Sequence, residues 1–316
     1  MPRVQLGKAS SIRATLYSDP ACPWAYSASP ALRVLEWRYG GQLEWRIVLI
    51  GLTDNPAQYE ERGYTPLRMA QGHAHFRRYG MPLAPSPRSR VAATGRACRA
   101  VVAARLLFPE SEWAVFRALQ LAWFTTSLLL DEDDSIGRAL QDVPGVDADA
   151  IVSMLDRAEV TADYDRDRAE ARNAVGSPAE LQQKTAQTDG AIRFTAPSVV
   201  FERNGIRLVA GGFQPIQAYD VLVANLDPQL ERIAAPEDAE PLLARFTGGL
   251  TSQEVAALLA RGNNEPDKTQ AEQALLELAA RGLATRQPVG DDALWTVAAR
   301  PCRANNEFAG LASSAR

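Results

Sequence analysis

Residues 12–52 narrow the possible folds more than any other part of the chain. Ile12–Ser18 alternates apolar and polar residues, a pattern typical of a strand. An amphipathic segment over residues 29–38 predicts a helix, which Gly40 and Gly41 end. Residues 43–52 contain the apolar run Ile47-Val48-Leu49-Ile50, which indicates a strand buried on both faces of a parallel sheet. This part of the chain therefore predicts a β-α-β unit.

The hydrophobic pattern of the next 180 or so residues predicts a helical block and then a second β-rich unit. Residues 59–188 have mostly helical patterns, with long helices predicted over 89–108, 113–130, 146–157 and 160–175. Strands are predicted over 198–202 and 206–210, and Asn204-Gly205 between them is a strong hairpin signal. A helix over 214–225 follows. We therefore predict an α/β domain over residues 1–230 with a helical insert at about 59–188.

The composition changes after residue 230. Helices are predicted over 236–247, 251–261 and 269–281, followed by two short strands at 283–287 and 293–298. Thr251 and Glu254 have the spacing of a capping box at the start of the second helix. Three helices followed by a hairpin predict a winged-helix-like α+β module over residues 231–300. We expect residues 301–316 to form a tail.

The charge of this module argues against binding to nucleic acid. Residues 236–300 contain ten acidic and six basic side chains, and the third predicted helix carries Glu272 and Glu277 with only Lys268 near its start. Phosphate binding needs the opposite balance. The whole chain, with 34 basic and 38 acidic residues, has a net charge of −4. We therefore expect the module to serve interaction or dimerisation rather than DNA binding.

The composition is that of a globular protein, with 46% hydrophobic and 23% charged residues among 316. No apolar run reaches the roughly 20 residues that span a bilayer, and no signal peptide is visible at the N-terminus. Three scattered cysteines fit a reducing compartment, so we expect a cytoplasmic protein without a membrane segment. Two histidines without metal-ligand spacing predict no metal site. We expect Cys98 in the core and Cys302 exposed in the tail.

Cys22 lies at the junction between the first predicted strand and the helix that follows. Pro23 suits the first position of that helix. The free N–H groups and positive dipole end of a helix favour a thiolate, and they can lower a cysteine pKa from ~8.5 to between ~3.5 and ~7.5. Because the thiolate is the nucleophile, we predict Cys22 as a catalytic residue. The alternative is an inert, half-buried cysteine.

The segment around Cys22 resembles a known active site. The motif Asp19-Pro20-x-Cys22-Pro23-Trp24, followed by Tyr26, resembles that of the DsbA-like branch of the thioredoxin superfamily. In particular it is similar to the cytoplasmic group of predicted dithiol-disulfide isomerases, which is related to kappa-class glutathione transferases and hydroxychromene-carboxylate isomerases. Phe194-Thr195-Ala196-Pro197-Ser198, before a predicted strand, resembles the cis-proline loop of that family. The order of elements agrees over roughly residues 12 to 228.

This resemblance implies a thioredoxin-like fold with an inserted helical subdomain. It implies a thiol-disulfide oxidoreductase, isomerase or thiol transferase, with Cys22 as the nucleophile and no bound cofactor. A small thiol, glutathione or mycothiol, would be the co-substrate, and a protein disulfide is another possible substrate. Relatives often dimerise, so a homodimer is also implied. The implied substrate-binding residues are Pro23, Trp24, Tyr26, Thr195, Ala196, Pro197 and Ser198.

The chain departs from the family at one decisive position. The typical family motif is Cys-Pro-Trp-Cys, and here Ala25 replaces the second cysteine. Ala25 cannot expel a bound substrate by closing an internal disulfide. We therefore predict a monothiol mechanism in which a small thiol resolves the mixed disulfide of Cys22. The alternatives are a binding module that has lost redox activity and a redox-sensing regulator that acts through the C-terminal module.

Overall fold

The computed structural model describes residues 11–298. The predicted tail and Cys302 lie outside these residues. The strands of the first 230 residues are β1 (Ile12–Ser18), β2 (Leu43–Leu49), β3 (Thr185–Ala186), β4 (Arg193–Phe194), β5 (Ser198–Arg203) and β6 (Ile206–Ala210). The helices of this part are α1 (Pro23–Ser27), α2 (Ser29–Tyr39), α3 (Pro56–Glu61), α4 (Pro66–Ala74), α5 (Gly95–Leu107), α6 (Glu112–Thr125), α7 (Asp133–Leu140), α8 (Ala148–Met154), α9 (Ala158–Ala171), α10 (Pro178–Leu181) and α11 (Ile216–Leu226).

A four-stranded sheet with the order β2-β1-β5-β6 forms the centre of the fold. β1 pairs with β2 in parallel and with β5 antiparallel, and β5 pairs antiparallel with β6. The β5–β6 turn is Asn204-Gly205, and both residues have positive φ, at 51° and 80°. Asparagine and glycine are the residues that tolerate this conformation, so the hairpin prediction is confirmed for a physical reason.

The two faces of the sheet are covered by different helices. Ile12, Ala14 and Leu16 of β1 pack in a core with residues of α2 and α11. Tyr17 lies in another core together with Cys22 of the β1–α1 turn. Successive side chains of a strand point to opposite faces, so this alternation places the cysteine on the face away from α2 and α11.

Two long helices of the insert differ in length from the prediction. α5 begins at Gly95 rather than at residue 89, because tertiary contacts hold the preceding residues as a loop. Ala93 N donates to Asp131 at 3.0 Å, and Thr94 N donates to the Thr53 carbonyl at 2.9 Å. α6 ends at Thr125 rather than at residue 130. The Thr126 hydroxyl there donates to a carbonyl four residues back and accepts from the Leu128 N–H.

The last described residues form three helices and three strands. These are α12 (Glu240–Arg245), β7 (Leu250–Thr251), α13 (Ser252–Leu259), α14 (Lys268–Ala280), β8 (Ala284–Val289) and β9 (Asp292–Val297). The sheet order is β7-β9-β8, and the predicted capping box of Thr251 and Glu254 is present at α13. The elements agree with the winged-helix-like pattern, while the boundaries of a separate domain stay a prediction.

This C-terminal module packs against both the sheet domain and the insert. The Arg117 guanidinium of α6 bonds both carboxylate oxygens of Glu254 of α13, at 2.5 and 2.7 Å. The β8–β9 turn reaches the loop before α5, where Asp291 accepts from Leu83 N at 2.7 Å and donates its own N–H to the Leu83 carbonyl at 3.0 Å. The hairpin is therefore docked on the protein itself. Lys268 is also engaged, through Asp292 at 3.0 Å.

Candidate functional site

Cys22 sits at the N-cap of α1 with an extended backbone conformation. Its Sγ donates a hydrogen bond to the Ala196 carbonyl at 3.1 Å, so the turn after β1 and the loop before β5 meet at this sulfur. The peptide bond between Ala196 and Pro197 is cis. The sequence therefore placed these residues correctly relative to one another, although they lie 174 positions apart.

The predicted lowering of the Cys22 pKa is wrong. The side chain is only 6% exposed, and burial raises the pKa of the thiol to about 12. The N–H groups of Ala25 and Trp24 act in the expected direction, but the nearby Asp19 carboxylate raises the pKa further. α1 has only five residues, so it supplies few aligned peptide dipoles to oppose the cost of burying a charge. In this structure the sulfur is a protonated hydrogen-bond donor.

A buried carboxylate lies beneath the cysteine turn. Asp19 Oδ1 accepts from Ala21 N at 2.8 Å, and Oδ2 accepts from Leu52 N and Thr94 Oγ1, each at 2.8 Å. The Cys98 thiol also points to Oδ2, at 3.5 Å. Burial raises the pKa of Asp19, and these donors oppose that shift by stabilising the carboxylate. Cys98 is fully buried, as predicted, and burial raises its pKa well above the ordinary value.

An aromatic rim borders the cysteine turn on its solvent side. Trp24 is 38% exposed, and its ring centroid lies 4.9 Å from that of Phe76, 5.6 Å from that of Tyr79 and 5.5 Å from that of Phe213. The guanidinium of Arg78, which is exposed, lies 4.9 Å above the Tyr79 ring. Pro23, beside Trp24, is half-buried. Trp24 and Pro23 are thus positioned where a molecule approaching Cys22 would meet them.

Tyr26 and Ser198 do not reach this surface, contrary to the sequence interpretation. Tyr26 is buried, stacks on Phe124 at 4.6 Å and donates its hydroxyl to the Pro82 carbonyl at 2.8 Å. Ser198 is also buried, and its hydroxyl donates to the Thr195 carbonyl and accepts from Gly212 N. Both hydroxyls are satisfied internally. We assign both residues to the support of the site rather than to substrate contact.

Thr195 and Ala196 line the cis-proline loop. Thr195 is half-buried, and its hydroxyl and N–H both donate to the Lys184 carbonyl, at 2.9 and 3.4 Å. Lys184 itself is exposed beside the loop. Ala196 is 8% exposed and uses its carbonyl for the Cys22 thiol. A substrate that pairs with this backbone must therefore take the place of the thiol hydrogen bond.

The comparisons with known proteins agree with this geometry. Residues 14–196 match the model of the DSBA-like thioredoxin domain, which is more than half of the chain. The chain belongs to the DSBA-like thioredoxin family. Its members are thiol-disulfide oxidoreductases, and this chain has the thioredoxin-like fold of that family. No curated protein matches the sequence.

Several solved structures share the fold of this DSBA-like chain. A structure from Nitrosomonas europaea, whose name proposes a protein disulfide isomerase, has a TM-score of 0.52 at 18% identity over 69% of this chain and 98% of its own. The cytosolic disulfide reductase DsbM from Pseudomonas aeruginosa, solved with GSH, has a TM-score of 0.50 and 19% identity, and the match covers 68% of this chain and 98% of DsbM. A probable DsbA oxidoreductase from Streptomyces coelicolor has a TM-score of 0.50 and 17% identity, and the match covers 72% of this chain and 94% of that protein.

The DSBA-like site of this chain includes residues that the sequence did not indicate. Tyr59 of α3 and Arg193 of β4 lie near enough to Cys22 for a thiolate there to raise the pKa values of both. Burial raises the pKa of Tyr59 and lowers that of Arg193. Neither residue stands in a recognisable motif. Only the insert and the short β3–β4 ribbon bring them to the cysteine.

Two further findings concern the residues that the structure describes. No group of three or more histidine, cysteine, aspartate or glutamate side chains is placed to hold a metal ion. None of the helices is both long enough and apolar enough to cross a membrane.

Proposed function

We propose that this DSBA-like protein carries out thiol-disulfide exchange through Cys22 alone, with a small thiol of the glutathione type as its partner. The observation that carries this proposal is the 3.1 Å contact between Cys22 Sγ and the Ala196 carbonyl beside the cis-proline. It puts the sulfur against the backbone with which an extended peptide-like ligand would pair. A small thiol is required because Ala25 provides no second sulfur.

The exchange balances in two steps. The Cys22 thiolate attacks a disulfide, forms a mixed disulfide with one half of it and releases the other half as a thiolate. A small-molecule thiolate then attacks the mixed disulfide, regenerates Cys22 and takes the bound half into a new disulfide. No net electrons pass to the protein. Because the reacting species is the thiolate, the buried thiol must first lose its proton and its bond to Ala196.

The surface around Cys22 suits an anionic small thiol. Arg78 on the aromatic rim and Lys184 beside the cis-proline loop are both exposed cations. Glutathione carries two carboxylates, and these two cations offer a partner for each of them. The presence of GSH in the DsbM structure, which shares this fold, supports the same class of partner. A cytoplasmic location, where such thiols are abundant, is part of the proposal.

Intact-mass measurement after incubation with oxidised glutathione tests the proposal. In a Cys302→Ser background, which removes the thiol predicted in the tail, we expect one glutathione adduct, located at Cys22 by peptide mapping and removed by reduced glutathione. Cys22→Ser is the matched control and is expected to lose that adduct, while Cys98 stays unmodified because it is fully buried. An Arg78→Gln, Lys184→Gln double variant is expected to form the adduct more slowly.

A second candidate function is a binding module without redox activity. The raised pKa of Cys22 and the loss of the second cysteine both favour it. On this alternative the folded protein forms no Cys22 adduct even at pH 9, where about a hundredfold more of the Cys22 thiol is ionised than at pH 7. That result contradicts the exchange proposal and supports the binding module.

A further inference from the structure

A cavity of about 340 Å³ lies behind the cysteine turn. Its walls come from β1, α1, α2, the region around β2 and α6, together with Arg245 of the C-terminal module, and include none of residues 193–198. Its volume falls at the lower end of the roughly 300–1,000 Å³ typical of small-molecule sites. Ala25 forms part of its floor. The cavity is therefore separate from the cis-proline surface on which the exchange would occur.

The cavity has an aromatic end and a polar end. Trp45 and Trp113 meet edge to face at 5.9 Å at one end. Gln120 lies seven residues after Trp113 on the same helix, which places it about 10 Å farther along the wall. Ser18 lies at the last position of β1, four residues beyond the residue that pairs with Trp45. Both residues line the cavity about 10 Å or more along their elements from the aromatic pair, and we assign them to the polar end.

Two buried polar atoms on residues that line the cavity lack protein partners. Ser18 is fully buried, and its hydroxyl has no hydrogen bond to any residue of 11–298. Gln120 is 4% exposed and lines the cavity. The buried Nε of Arg117 is also unpartnered. Unpaired buried polar groups cost free energy, so two of them on residues that line one cavity, together with the Gln120 amide, indicate a site that receives a hydrogen-bonding ligand.

The charges around the cavity leave a net positive balance. Arg33 pairs with Glu36 at 2.6 Å and approaches Glu254 at 3.7 Å, while Arg117 pairs with Glu254. Arg245, a lining residue that is also exposed to solvent, has no acidic partner within 4 Å among the described residues. Three guanidinium groups therefore face two carboxylates. One negative charge on a ligand would neutralise the site.

We propose that this cavity binds a small monocarboxylic acid with an apolar body, about 10 Å in length. The apolar body packs against the Trp45–Trp113 pair, with Phe116 beside it. The carboxylate accepts hydrogen bonds from Ser18 Oγ, the Gln120 amide and Arg117 Nε. These donors come from side chains that no step of the proposed thiol exchange uses, so the site does not depend on that chemistry.

Titration calorimetry with 4-phenylbutyrate tests the proposal, with quenching of tryptophan fluorescence as a second readout. The neutral 4-phenylbutanol and the cationic 4-phenylbutylamine share the apolar body and lack the carboxylate. We expect the acid to bind at least tenfold more tightly than the alcohol, because charge-assisted hydrogen bonds are worth more than neutral ones. We expect the amine to bind more weakly still.

Gln120→Leu removes the amide at nearly constant volume, and Gln120→Glu adds a negative charge beside the carboxylate. We expect Gln120→Leu to weaken binding of the acid by about tenfold with little effect on the alcohol. Gln120→Glu is expected to weaken binding of the acid further. Gln141→Leu, a similar change at an exposed position of the insert, is the matched control and should alter neither. Cys22→Ser should bind the acid as the unchanged protein does.

Three results would overturn the proposal. The first is the absence of saturable binding of the acid at millimolar concentration. The second is equal affinity for the acid and the alcohol in the unchanged protein, which decides the question even if the Gln120 variants do not fold. The third is loss of binding in Cys22→Ser, because it would place the acid at the cysteine instead. Failure of thiol exchange with retained acid binding would refute only the function proposed above.

Discussion

The sharpest prediction about this protein concerns the protonation state of Cys22. Burial and the Asp19 charge raise its pKa from the ordinary 9.0 to about 12. A difference of about three pKa units means about a thousandfold less thiolate at neutral pH than in an exposed cysteine. We therefore expect iodoacetamide to label Cys22 of the folded protein several hundredfold or more slowly than a free thiol at pH 7.

The assay is the pH dependence of that labelling, measured by peptide mass spectrometry on the native protein. The rate should rise about tenfold per pH unit from 7 to 10 and show no plateau in that range, because the thiolate fraction is still growing. Cys22→Ser identifies the peptide signal, and Cys98 reports any unfolding because it becomes reactive only when the core opens. A plateau below pH 9 would refute the reasoning, since it would mean that the helix end outweighs burial.

The same shift makes stability depend on pH with a definite sign. A thiol whose pKa is higher in the folded protein than in the unfolded chain stabilises the fold fully below the unfolded value near 9. That contribution is lost as the pH rises toward 12. Between pH 9 and 10.5 the loss is about 2 kcal/mol, at 1.36 kcal/mol per pKa unit. Cys22→Ala should lack this loss. The free energies of unfolding of the variant and of the unchanged protein should therefore converge or cross as the pH rises.

Three other substitutions test separate parts of the structure. Arg117→Met leaves the buried Glu254 with only the more distant Arg33, at 3.7 Å, and urea denaturation should show a loss of about 3 kcal/mol; a loss below about 1 kcal/mol would show that the pair is not desolvated. Ala25→Cys packs a second thiol in the same buried cluster as Cys22, so oxidised glutathione should yield an internal disulfide by mass rather than a lasting adduct. Trp24→Ala removes the centre of the aromatic rim and should slow adduct formation at Cys22 without shifting the Tm of this 38% exposed position by more than a few degrees.

The sequence predicted the candidate site through two local signals. The cysteine at a strand-to-helix junction and the Ala196-Pro197 segment before a strand each stand out in the chain, and the structure brings them within 3.1 Å. It did not predict which side chains of these segments face outward. Tyr26 and Ser198 belong to the same motifs as Trp24 and Thr195, yet both are buried. A motif marks a position in the backbone, whereas side-chain exposure depends on what packs against it.

The order of elements, the parallel pairing of β1 with β2, the Asn204-Gly205 hairpin and the capping box at Thr251 were all determined by local sequence. Each depends on backbone preferences or hydrophobic periodicity within a few residues. The Cys22 pKa was decided only by the tertiary structure. The start of α1 favours a thiolate at Cys22, but the burial of this side chain outweighs that effect. The residues that bury Cys22 come from segments far away in the chain. The cavity beside Ser18 and Gln120 is likewise a product of packing, because its walls come from distant elements and its unpaired polar groups become visible only when those elements meet.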